Sequence, residues 1–243
     1  KKKYLFIEKN LDSAKYIKLT SSVGNEKRFS VIEVEKSFFL NDNLSFKSTN
    51  QNIISGYKFI DKPLIIKNKD LIINGGSEIV ISNNSFIYIK DGCLKILGKR
   101  DKKVLIRSVN KDSSNGIYVN NCKSSSEIKY ATIKNLSYFS NNQFYLTGAL
   151  NFYNSNVIFD NVKIEDTEAE DAINLIKSNF EINNIEIINS ISDAIDIDFS
   201  KGNFKNVEIS YLGGDGIDFS GSISNLENIS VSNSKDKGIS VGE

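Results

Sequence analysis

From residue 148 onward the chain repeats itself. Ile173-Asn174-Leu175 is followed 22 residues later by Ile195-Asp196-Ile197, after another 22 by Ile217-Asp218-Phe219, and after another 22 by Ile239-Ser240-Val241. Leu150-Asn151-Phe152 precedes the series by 23. A second block keeps the same step. Phe159-Asp160-Asn161-Val162-Lys163-Ile164 returns as Ile182-Asn183-Asn184-Ile185-Glu186-Ile187, as Phe204-Lys205-Asn206-Val207-Glu208-Ile209 and as Leu226-Glu227-Asn228-Ile229-Ser230-Val231. Both blocks alternate apolar and polar residues, the period of a strand. Strands this short cannot bury an apolar face alone; stacking coil on coil buries them in one continuous core. At about 3.3 Å per residue a 22-residue coil has a contour of about 70 Å, enough for three short strands and three bends. A leucine-rich repeat has a similar period but needs a helix and a leucine consensus in each unit, and neither is present. The expected fold is all-β: a right-handed parallel β-helix solenoid of about 22 residues per coil.

Asn161, Asn184, Asn206 and Asn228 form one column between two strands. Asn tolerates the left-handed backbone region better than other non-glycine residues. The column is therefore expected to mark a sharp bend, with the amides hydrogen-bonded from coil to coil as a buried ladder. Strand-like runs at 71–73, 78–81, 86–89, 94–96 and 104–106, punctuated by Gly75-Gly76, Asn83-Asn84, Asp91-Gly92 and Gly98, read as earlier, less regular coils. Gly148 follows Gly116 by 32 residues, so about ten must bulge outward, and Leu136 to Thr147 is the natural place. Residues 1–57 are strand-rich without repeating. They are expected to form an N-terminal β-rich cap, or the end of an upstream domain, on a solenoid spanning 58–243. The chain has no Met and Val241-Gly242-Glu243 falls within a strand pattern, so Lys1 is not expected to be the native start and a piece of a longer protein is expected.

The formal net charge of +1 carries no global bias toward nucleic acid or an anionic membrane, and no basic stripe marks the second half. No run approaches the roughly 18 apolar residues of a membrane span. Glu8-Lys9-Asn10 ends the apolar run of Tyr4-Leu5-Phe6-Ile7 too early for a signal peptide. The absence of His removes the Ser-His-Asp and Cys-His triads and every His-containing zinc site. Cys93 and Cys122 are expected as buried free thiols inside the solenoid, a disulfide being the alternative.

These features resemble the pectate-lyase-like superfamily of right-handed parallel β-helices over roughly residues 60–243. That superfamily includes polysaccharide lyases, epimerases, glycoside hydrolases, phage tailspikes and non-catalytic surface proteins. Within it, the runs Lys62-Pro63-Leu64-Ile65-Ile66, Ser192-Asp193-Ala194-Ile195-Asp196-Ile197-Asp198, Gly213-Gly214-Asp215-Gly216-Ile217-Asp218 and Asp236 to Glu243 resemble bacterial surface β-helix modules. Some of those accompany a spore-coat-type kinase-like domain. The resemblance places ligands on the outer face of the first sheet, bordered by the loops that lead into it.

Carried over position by position, the outward column of that face is Asn151, Asn174, Asp196, Asp218 and Ser240, with Asp198 further along the same strand. Gly148, Asp171, Asp193, Asp215 and Lys237 occupy the leading turn. Carboxylates in register on neighbouring coils stand about 5 Å apart, and like charges that close raise each other's pKa or require a cation. Three readings follow. Asp193, Asp196, Asp215 and Asp218 bind Ca²⁺, which takes several oxygen ligands; or the turn Asp residues accept backbone hydrogen bonds; or the carboxylates are catalytic. Asp215-Gly216-Ile217-Asp218 resembles the Asp-Gly-Ile-Asp run of polygalacturonases, whose pattern also needs a Gly-His-Gly and an Arg-x-Lys. This chain has no His, and its Arg residues are Arg28, Arg100 and Arg107. Lys237 beside Asp215 is expected as an ion pair rather than a base. Tyr118, Tyr153 and Tyr211 are expected on the surface, packed there or stacked on sugar rings. The function expected is a non-catalytic extracellular or cell-surface module that binds or displays polysaccharide. The alternatives are a Ca²⁺-dependent lyase or epimerase acting on an acidic glycan, and a structural spacer of a large surface protein.

Overall fold

The computed structural model describes residues 16–20, 26–30, 52–110, 115–140 and 145–242. The chain divides into two compact units, 1–45 and 46–243. In the first, Tyr16–Thr20 pairs antiparallel with Glu26–Ser30. Of the rest of the expected cap, residues 1–15, 21–25 and 31–51, with the alternation from Val31 to Glu35, lie outside the described residues.

In the second unit parallel strands stack as a β-solenoid of about eight turns. One face is an eight-stranded sheet running from Leu64–Lys67 through Ile87–Lys90, Ile117–Asn120, Gly148–Tyr153, Asp171–Ile176, Asp193–Asp198 and Ile217–Ser220 to Ile239–Gly242. The register matches Leu64, Ile87, Ile117, Leu150, Ile173, Ile195, Ile217 and Ile239 in one column. This residue and the one two positions on point inward, so Ile173, Leu175, Ile195, Ile197, Ile217 and Phe219 are buried as the alternation requires. Ile239 holds its register with Ile217 but is 42% exposed, on the last described strand of this sheet. Eleven further strands form a second sheet on the other sides. Its first strand, Ile53–Ile54, already pairs in parallel, five residues ahead of the expected start of the solenoid at 58.

Up to three corners per coil turn through positive φ among the described residues. The first follows the face strand at Asn68, Asp91, Asn121, Asn154, Lys177, Phe199 and Gly221. The second is the expected Asn column, with Tyr130 continuing it, and the third runs through Asn135, Asp166, Asn189, Tyr211 and Asn233. The ladder hydrogen bonds exist: Asn206 Nδ2 donates to Asn184 Oδ1 and Asn228 Nδ2 to Asn206 Oδ1, both at 2.9 Å. They are not buried. All four Asn side chains are exposed, because a left-handed residue at a convex corner turns its Cβ away from the core. The buried-ladder expectation is corrected to a surface ladder.

A buried ladder does exist one residue past the first corner. The amide of Cys122 donates to Ser155 Oγ, that of Ser155 to Ser178 Oγ, that of Ser178 to Ser200 Oγ and that of Ser200 to Ser222 Oγ, at 2.9–3.0 Å. Cys93 and Cys122 extend this line and form a disulfide, with Cα atoms 4.9 Å apart. The free-thiol expectation is therefore overturned: stacking brings residues 29 apart onto adjacent coils at the separation a disulfide bridges. The insertion is where expected. Phe139–Ser140 and Tyr145–Leu146 leave the coil as an antiparallel pair, while Ser137 still bridges Glu168 in parallel.

Candidate functional site on the outer face

The outward column of the eight-stranded sheet reads Tyr88, Tyr118, Asn151, Asn174, Asp196, Asp218 and Ser240 from coil to coil. Its lower half is closed. Tyr88 and Tyr118 stack at 5.1 Å, and Tyr153 meets Tyr118 edge-on at 5.1 Å. Burial raises the Tyr118 and Tyr153 hydroxyls far above their usual range, so these two rings are not the exposed aromatics expected; Tyr211 is, at 61%. Asn151 is fully buried. Its Nδ2 donates to the Gly148 carbonyl (2.6 Å) and its Oδ1 accepts from the Gly148 amide (3.0 Å), closing its own leading turn.

Asn174 sits between two carboxylates. Its Nδ2 donates to Asp171 Oδ2 (3.0 Å), Asp196 Oδ2 (2.9 Å) and Thr147 Oγ1 (3.2 Å). Its Oδ1 is buried with no partner. Burial pushes Asp171 up to about 7 against the lowering effect of hydrogen bonds to Thr147 and Asn174. Burial also pushes Asp196 up to about 8, reinforced by the charges of Asp171, Asp198, Asp218 and Asp193. Around neutral pH this pair therefore carries protons that an exposed Asp would have lost. Asp198 is raised by burial and then by Asp218. Among the described residues no cation pairs with Asp196, Asp198 or Asp218.

The leading-turn column behaves differently. Asp193 Oδ1 accepts from the Asp215 amide at 2.7 Å, and Asp215 Oδ1 accepts from the Lys237 amide at 2.7 Å. These carboxylates tie each turn to the next, as Asp does in turns. Lys237 Nζ lies 3.5 Å from Asp215 Oδ2 and 2.9 Å from Asp236 Oδ2; the hydrogen bond to Asp236 is the chief reason its pKa is raised. Among the described residues no group of three or more His, Cys, Asp or Glu side chains converges where a metal ion could be held. Of the quartet Asp193, Asp196, Asp215 and Asp218, the first and third each hold a backbone amide through Oδ1.

The open part of the face is thus Asp196, Asp198, Asp218 and Ser240, bordered by Lys237 and by Phe199, whose ring is 64% exposed. Sequence reasoning left out Thr147, Asp171 as a partner of Asn174, and Phe199. Thr147 closes the insertion and carried no signal. Phe199 had one: it falls in the first-corner column, where Asn154 precedes it two coils earlier.

No protein-family model matches the chain, and no curated protein matches it. Among solved structures, a trypsin-treated variant of QnrB1, a plasmid-mediated fluoroquinolone resistance protein, aligns at a TM-score of 0.26 and 12% identity, over 73% of this chain and 92% of that one. A likeness this slight carries no argument about this chain.

Proposed function

We propose that the chain is a non-catalytic, extracellular or cell-surface module that binds polysaccharide along the open half of its outer face. The observation that carries this reading is the column itself. One outward position recurs on every coil, in register, at about 4.8 Å per step. A rigid, repetitive strip of that kind suits an extended, repetitive ligand. Asp196 and Asp218 are adjacent steps of the strip, and Asp198 lies on the same strand. The Cys93–Cys122 disulfide supports an oxidising compartment, where such bonds persist. The likeness to pectate-lyase-like solenoids belongs to this proposal and rests on the coil pattern alone.

The non-catalytic part rests on the carboxylates' partners. Asp171 and Asp196 share Asn174, and Asp193 and Asp215 hold amides. Beside the last two, the nearest amine and hydroxyl, Lys237 Nζ to Asp215 Oδ2 and Ser192 Oγ to Asp193 Oδ1, each stand 3.5 Å away, and Asp236 at 2.9 Å holds Lys237 in its protonated form. A glycan array probed with the full chain tests binding; retention of at least one glycan class, lost in Asp196→Lys, is expected. Incubation with uronate polymers should give no rise in absorbance near 235 nm. A rise would replace the module by a lyase, and an empty array would leave a spacer.

A further inference from the structure

Thr147, Asp171 and Asn174 form a buried polar cluster where the insertion rejoins the coil. Thr147 immediately precedes the strand Gly148–Tyr153, and its carbonyl accepts from the Asp171 amide at 3.3 Å. Asp171 and Asn174 are 3% and 2% exposed, so the cluster is nearly closed to water. Its hydrogens do not match its oxygens. Asn174 Nδ2 carries two hydrogens and has three oxygens within 3.2 Å: Asp171 Oδ2, Asp196 Oδ2 and Thr147 Oγ1. Asn174 Oδ1 is buried with no donor at all. A cluster short of hydrogens and shut off from water is stabilised by binding one more proton.

No positive charge takes that proton's place. The groups facing Asp171 are Glu170, Asp193 and the Tyr145 and Tyr153 hydroxyls. Those facing Asp196 are Asp171, Asp193, Asp198, Asp218 and Tyr153. The carboxylates add only negative charge, and burial moves both tyrosines further from ionisation. Among the described residues no Lys or Arg pairs with Asp171 or Asp196. Asp171 is the more buried of the two carboxyls, and it lies against Thr147.

We infer that Asp171, Asn174 and Thr147 form a proton-operated latch: a proton on Asp171 keeps Thr147, and with it the returning end of the insertion, fastened to the outer face, and loss of that proton unfastens it. The latch needs no ligand and stands apart from the polysaccharide reading. Its sign follows from burial. In the closed state the Asp171 carboxyl is raised to about 7; once Thr147 lets go and water reaches it, it returns toward 3.8. The proton's stabilisation is therefore complete below about pH 4 and lost as pH rises through about 7. Between those limits each opening releases one proton, so the opening constant grows about tenfold per pH unit.

The test is amide hydrogen exchange of the full chain by NMR between about pH 5 and 7, corrected for the intrinsic effect of pH on exchange. The amides read are Gly148, which donates to Asn151 Oδ1, and Asp171, which donates to the Thr147 carbonyl. Their protection is expected to fall about tenfold per pH unit. It should not respond to sub-denaturing urea, because a local opening exposes little surface. Asp171→Asn puts a permanent N–H donor where the protonated carboxyl stood, and should keep the protection while flattening its slope. Thr147→Val should lower the protection at about pH 5 to the wild-type level at about pH 7, roughly a hundredfold. Protection that ignores pH overturns the latch, and so does a slope that survives Asp171→Asn. Exchange accelerated by urea at both amides overturns it as well, because the proton then leaves on global unfolding. If Thr147→Val matches the wild type at every pH, Thr147 fastens nothing and the latch fails.

Discussion

The coils from Gly148 to Ser234 and those from Ile53 to Lys134 enclose one core but are tied together differently. In the later coils the step is 23, 22 and 22 residues, and every polar column stays in line. Serine links Ser155 to Ser222, Asn links Asn184 to Asn228, and Asp links Asp193 to Lys237. In the earlier coils the steps are 23, 30 and 33, the loops differ, and those ladders are not continuous. A disulfide and a tyrosine row stand in their place. Strict periodicity lets many weak, repeated hydrogen bonds do what an irregular stack must do with one covalent bond and large rings.

The largest expected effect breaks what the two regions share. Phe152 is fully buried and packs edge-on against Phe159 at 5.8 Å. Phe152→Ala should cost about 3–5 kcal/mol by denaturant unfolding. The next effect is specific to the earlier coils. Replacing Cys93 and Cys122 by Ala opens a loop closed across 29 residues and should cost about 3–4 kcal/mol by the loop-entropy relation. A mass gain of two hydrogens on reduction under denaturing conditions checks the bond itself. If the Cys pair could be removed at no cost, the earlier coils would not depend on it and the contrast between the regions would fail.

How far each region was legible follows from the same contrast. The inward Ile, Leu and Phe columns and the Asn corner could be read from spacing because nothing interrupts the later coils. The Ser155, Ser178, Ser200 and Ser222 column keeps that spacing and was equally readable, yet serine has no strong conformational signature to draw attention to it. The disulfide was hidden because 29 residues is not a coil length until the extra loop residues are discounted. Which outward residues are covered was not legible at all. Asn151 and Asp196 occupy the same column, but the first is turned into its own leading turn and the second stays at the surface. That difference is set by side-chain hydrogen bonding: Asn151 bonds Gly148, while Asp196 accepts from Asn174.

A smaller effect separates the acidic face from the rest. Asp171 and Asp196 have folded-state pKa values near 7 and 8, raised from 3.8. Above pH 4 the unfolded chain loses these protons while the folded one keeps them, so the unfolded state binds fewer protons and stability falls as pH rises. The stabilisation is complete below about pH 4 and lost by about pH 8. A melting temperature that declines between pH 5 and 8, and declines less in Asp196→Asn, is expected. Ca²⁺ at millimolar concentration should leave the melting temperature where a chelator leaves it. The smallest effect is at a corner: Tyr211→Asn should raise stability by about 0.5–1 kcal/mol, since Tyr211 holds φ 59° while exposed.

The central claim is that the open half of the outer face is the ligand surface and the closed half is not. Amide chemical shifts followed by NMR during titration with an oligomer of a glycan that the array retains test it most directly. The account predicts shifts confined to Asp193–Asp198, Phe199 and Ile217–Gly221, with Ile87–Lys90 and Ile117–Asn120 unmoved. Shifts centred on the tyrosine coils or on the eleven-stranded sheet, or none at saturating oligomer, would contradict it.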